Sequence, residues 1–182
     1  MEFFMESTTN VCSQLSLTKA KKDLVLANLS KIEQFVYHDC DGGKLEGWNA
    51  FGPIGELMTW KQGCELDQVK RGVDWMQKTF ALLVSYSSCE EQIDLTFTPT
   101  ADSCFHAFLQ INPLWEQFEN HLGRKIYHYP FLVGNGLEKV RSSTSELFEY
   151  HYGFDPFEFE SASSCSSCCI SPNPPLPIPA NW

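Results

Sequence analysis

The side chains able to do chemistry in this sequence are few histidines, scattered thiols and clustered acids. His106, His128, His151 and Cys104 are the candidate catalytic residues, because an imidazole can move a proton or hold a thiol as thiolate. Cys104 and His106 stand two apart, so on a helix they face different sides and do not pair directly. Cys40 can meet His128 or His151 only if the fold brings them together. Tyr127-His128-Tyr129 and Tyr150-His151-Tyr152 each set a histidine between two tyrosines, as a pocket for a small ligand would. On a strand the alternation gives the opposite result, with core tyrosines and an exposed histidine.

His38-Asp39-Cys40-Asp41 places four metal-ligand types in a row and is the candidate metal cluster. Asp39 and Asp41 before Gly42 match part of a calcium loop, but Lys44 stands where an oxygen ligand is needed. The simpler reading is a polar helix end and turn. Glu90, Glu91, Asp94 and Asp102 are paired acids that serve general acid–base chemistry only if burial separates their pKa values. The sequence contains no Gly-x-x-x-x-Gly-Lys, Gly-x-Gly-x-x-Gly, Gly-x-Ser-x-Gly or His-Glu-x-x-His, and no pair of Cys-x-x-Cys units. The enzyme classes defined by those motifs are excluded, and no cofactor is expected.

Positioning these residues falls to a mixture of helical and alternating segments. Residues 1–14 read as an N-terminal arm and 15–160 as one domain. From Ser16 to Val36 apolar residues recur at spacings of three, four and seven, with Thr18 or Ser16 as a cap, and the helix stops at His38–Gly43. A short helix is expected at Pro53–Trp60 and a second long one over about 65–78, carrying Leu66, Val69, Val73 and Met76. Thr79–Ser87 is dense in β-favouring residues and Gln92–Pro99 alternates, which predicts an antiparallel hairpin. Thr98, Thr100 or Asp102 caps a helix with Phe105, Phe108 and Leu109, and Asn112-Pro113 opens another that Gly123 ends. Lys125–Val133 reads as a strand interrupted by Pro130, and Asn135-Gly136 as a turn. The run 147–159 fits either helix or strand. The expected fold class is α+β, about four helices with a small antiparallel sheet, the alternative being mainly α.

At Ser161 the composition breaks: no charge follows, and Pro172, Pro174, Pro175, Pro177 and Pro179 crowd the end. Residues 161–182 therefore read as a disordered Ser/Cys- then Pro-rich tail. Pro174-Pro175-Leu176-Pro177 can present a polyproline II face to an aromatic groove of a partner protein. Cys165, Cys168 and Cys169 are candidate acylation sites. The Ser/Cys-rich stretch also resembles the modifiable core of ribosomally made peptides, which implies a precursor in which the folded part acts as leader.

Composition bounds the function further. Of 182 residues, 23 are acidic and 13 basic, a net charge of −10. That balance argues against nucleic acid, whose binding needs a basic face, and against an anionic membrane surface. The basic residues Arg124, Lys125, Lys139 and Arg141 form a local patch, while 142–182 holds five acids and no Lys or Arg. No apolar run is long enough to span a bilayer and the acidic N-terminus is unlike a secretory signal, so a cytoplasmic location with reduced cysteines is expected. The function expected is an acidic accessory protein acting through a protein partner. The alternatives are a small enzyme or small-molecule-binding protein with an aromatic, histidine-lined pocket, and the peptide precursor.

Overall fold

Why the chain folds as it does is clearest in its central helix. In the computed structural model, which describes residues 17–87, 93–129, 135–160 and 169–172, Leu66–Ser85 is a single helix of 20 residues. Its stripe Val69, Val73, Met76, Phe80 and Leu83 is buried, but from Thr79 onward nearly every side chain is buried. A run that is apolar all round is a helix surrounded by others, and its composition resembles that of a strand. The β-favouring Thr79 and the following Ser85 are accommodated because their hydroxyls donate to the carbonyls of Trp75 and Ala81, at 2.8 and 2.7 Å. The hairpin expected over 79–99 therefore does not form, and the helix expected to end near 78 runs on to Ser85.

In chain order the elements are α1 (Lys19–Glu33), β1 (Val36–His38), β2 (Lys44–Glu46), a 3₁₀ turn (Gly47–Phe51), α2 (Gly52–Gln62), α3 (Leu66–Ser85), β3 (Leu95–Thr96), α4 (Pro99–Gln110), α5 (Asn112–Leu122), β4 (Tyr127–Tyr129), α6 (Asn135–Tyr152), a second 3₁₀ turn (Pro156–Phe159) and β5 (Cys169–Ser171). The fold is α+β, with six α-helices among the described residues where four were expected. The caps read from sequence form. Thr18 accepts from the Lys21 amide, Thr98 accepts from the Ala101 amide with Pro99 in the first turn, and Gly123 closes α5 with φ of 76°. Asn135-Gly136, expected as a turn, is the first turn of α6. That helix settles 147–152 as helical, because Val140, Ser143, Thr144, Leu147, Phe148 and His151 form one buried face at spacings of three and four.

The helices enclose an aromatic core. Phe80 of α3 lies against Phe97, Phe105, Phe108, Trp115 and Phe118, with ring centroids 5.2–6.4 Å apart. Offset and edge-on pairs of this kind add to what area burial alone supplies. α3 and α4 approach closely at Gly72, where a Cβ would lie 2.7 Å from Cys104 Sγ and 3.0 Å from the Thr100 carbonyl.

Two small antiparallel sheets complete the molecule. β1 and β2 form a hairpin across Asp39–Gly43. The second sheet has the order β3-β5-β4, so the last strand among the described residues is the central one. Leu95 pairs with Ile170 on one side, and His128 pairs with Ile170 on the other. Cys169 and Ile170 are fully buried and Ser171 is 4% exposed. This corrects the boundary at Ser161: the change in composition there is not the end of the folded domain, since a strand from the expected tail fills the sheet. No helix among the described residues is long and apolar enough to cross a membrane. The N-terminal arm 1–14, Cys165, Cys168 and Pro174–Pro177 lie outside the described residues.

Candidate functional site

α4 and β4 bring two of the three candidate histidines together. The rings of His106 and His128 are perpendicular with centroids 5.1 Å apart, and Phe105 stands 5.3 Å from His128. One helical turn before His106, the buried Asp102 carboxylate places Oδ1 3.7 Å from His106 Nε2. The i, i+4 spacing makes this neighbourhood legible in the sequence, where Asp102 reads as one of four clustered acids and as a candidate helix cap. His128 Nε2 is buried and has no hydrogen-bond partner among the described residues. Burial, then the adjacent His106, holds the His128 pKa below the ordinary histidine value, so its neutral form is favoured.

Cys104 does not join this group. As its spacing from His106 predicts, it points the other way, into the α3–α4 contact, where its thiol faces the Val69 carbonyl at 3.8 Å. Burial first, and repulsion from Cys64 and Glu160 second, pushes the thiol up to about 12. A thiol so protonated is a packing group and not a nucleophile. His151 lies elsewhere, on the buried face of α6, with Nε2 2.8 Å from the Tyr86 hydroxyl and the rings 5.7 Å apart. Its pKa is held down to about 4 by burial, with Lys22 adding repulsion.

Of the candidate metal residues, Asp39 is spent on the β1–β2 turn. Asp39 Oδ1 accepts from the amides of Asp41 and Gly43, at 3.0 and 2.6 Å, which turns the chain through Gly42 with φ of 82°. The His38 amide and carbonyl are held by the Gln117 side chain of α5, at 2.9 and 2.8 Å, while Cys40 is exposed. Among the described residues no group of three or more His, Cys, Asp or Glu is placed to hold a metal ion. Of the candidate modification sites, Cys169 is covered on both sides as part of β5.

An open groove lies elsewhere, between α6 and the second 3₁₀ turn. α6 presents Glu138, Arg141, Ser142, Ser145, Glu146 and Glu149 on the face opposite its buried stripe. Gly153, with φ of 81°, ends the helix by donating to the carbonyls of Phe148 and Glu149, and reverses the chain. Asp155 Oδ1 then accepts from the Phe157 amide at 2.9 Å, setting the 3₁₀ turn beside α6. The result is an open groove of about 490 Å³ with five carboxylates, Glu138, Glu146, Glu149, Asp155 and Glu158, and one cation, Arg141. The Arg141 guanidinium lies over the Phe157 ring, 4.8 Å from its centroid. The reading from sequence counted these acids but missed the groove. The signal was present as a second stripe at spacings of three and four in α6, interleaved with the apolar one.

A smaller apolar groove of about 200 Å³ lies between α2 and α3, lined by Trp48, Phe51, Leu66, Val69 and Val73. Trp60, also on α2, is 90% exposed. Comparison of the chain with protein-family models, with curated proteins and with solved structures finds nothing that matches it.

Proposed function

We propose that this is a binding protein that receives a cationic segment of a protein partner in the groove between α6 and the second 3₁₀ turn. The observation that carries the reading is the groove's own content, a guanidinium already seated on an aromatic ring and ringed by five carboxylates. Five carboxylates around a single guanidinium leave acceptors over for the arginine of an incoming peptide. The groove's exposed carboxylates lie within one Debye length of a ligand seated there, about 8 Å at physiological salt, so their fields add. The overall acidity supports the same partner class and argues against nucleic acid. The proline-rich Pro174–Pro177 is proposed as a second contact with the partner, on composition alone.

The test is a comparison of two neutralised variants with equal charge. One carries Glu138→Gln, Glu146→Gln and Glu149→Gln, and the other Glu56→Gln, Glu65→Gln and Asp67→Asn. Binding of a dye-labelled arginine-rich peptide is followed by fluorescence anisotropy at several salt concentrations. Three exposed pairs at about 0.5 kcal/mol each predict roughly tenfold weaker binding for the groove variant and little change for the control. Equal weakening of both would show that only net charge matters, and would overturn the assignment.

A further inference from the structure

The sheet β3-β5-β4 has an arrangement that the acidic groove does not explain. Among the described residues β3 and β4 do not pair with each other, and each pairs with β5. Each of these two walls has its own anchor on a helix. The Thr96 amide of β3 donates to Thr144 Oγ1 of α6 at 3.1 Å. Just before β4, the Ile126 amide donates to Glu119 Oε1 of α5 at 2.9 Å, and Lys125 Nζ lies 2.6 Å from Glu119 Oε2. Within β4, the His128 ring is packed on Phe105 and His106 of α4. The walls and the helices between them come from one continuous stretch, 95–129, whereas β5 is three residues long and enters after a connection spanning 161–168.

From this we infer that the gap between β3 and β4 is a peptide-binding slot, and that its resident ligand is the chain's own C-terminal segment Cys169-Ile170-Ser171. The slot works by strand addition: backbone ladders on both sides set register, and one side-chain pocket sets specificity. Ile170 is the anchor, fully buried within the main core cluster, and it pairs with Leu95 and His128. Its neighbours Cys169 and Ser171 are small enough to be buried beside it. A peptide with an aliphatic residue between two small ones is therefore the chemistry the slot accepts. In the intact chain covalent attachment raises the local concentration of this segment to the order of millimolar, which keeps the slot filled. Release of the strand would open the slot and uncover Cys169 together.

The test uses the full chain with a specific protease sequence placed within 161–168 and cut after folding. The cut protein is expected to keep its near-ultraviolet circular dichroism with the C-terminal fragment still bound. A large excess of a dye-labelled peptide spanning 167–174 should then displace the fragment and bind in its place, and the same peptide with Ile170→Asp should bind about 100-fold more weakly, about 2.7 kcal/mol. Loss of the folded signal on cutting would make β5 an integral strand and overturn the inference. Binding indifferent to Ile170→Asp would overturn it too. So would a cut protein that doubles in mass and excludes the peptide, since a second copy would then fill the slot.

Discussion

His151 makes the acid sensitivity of this protein calculable. Its side chain is 4% exposed, its Nε2 contacts the Tyr86 hydroxyl at 2.8 Å, and its pKa is held down to about 4 against 6.5 when unfolded. The cause is burial first and the positive Lys22 second. Between those two pKa values the unfolded chain takes up a proton that the folded chain refuses. This group's contribution is therefore complete above about pH 6.5, falls by about 1.4 kcal/mol per unit as pH drops, and levels off below about 4. At pH 5.0, 1.5 units below the unfolded value, the loss comes to about 2 kcal/mol relative to pH 7.5. Urea unfolding monitored by fluorescence at half-unit steps between those limits measures it. His151→Gln keeps a hydrogen-bonding group beside Tyr86 but cannot titrate in this range, so it is the reference. The two proteins differ at no other position, so every other contribution cancels in the difference. The wild type should lose about 2 kcal/mol more than His151→Gln over this interval. Parallel pH profiles would refute the claim that His151 is buried as the neutral imidazole.

Two other predictions concern the α3–α4 contact and the thiols. Gly72→Ala gains about 1 kcal/mol of helix propensity but drives a Cβ to 2.7 Å from Cys104 Sγ and 2.8 Å from Thr100 Cγ2, an overpacking cost of about 2–3 kcal/mol. The melting temperature should fall by about 2–8 °C in scanning calorimetry, and a rise would show that the helices separate freely. Under iodoacetamide at pH 8, the exposed Cys40 should be modified in the folded protein while Cys104, buried and pushed up to about 12, stays protected until the chain unfolds. Peptide mapping that finds Cys104 modified as fast as Cys40 would contradict its placement.

The sequence by itself determined whatever depends on neighbours in the chain. The caps at Thr18 and Thr98, the proline start of α5 and the Gly123 stop are local hydrogen-bond and backbone effects, so they were legible before any packing was known. The side on which Cys104 lies relative to His106 follows from helical spacing alone. Tertiary structure decided the rest, for two physical reasons. A helix buried on all sides has no polar face to give it a period, so Thr79–Ser85 carried the composition of a strand until α3 was seen inside the bundle. A strand pairs across any distance in sequence, so nothing local to Cys169-Ile170-Ser171 marks it as the centre of a sheet with β3 and β4. The same dependence on distant partners separates the candidate histidines, setting His128 beside His106, itself next to Asp102, and His151 beside Tyr86.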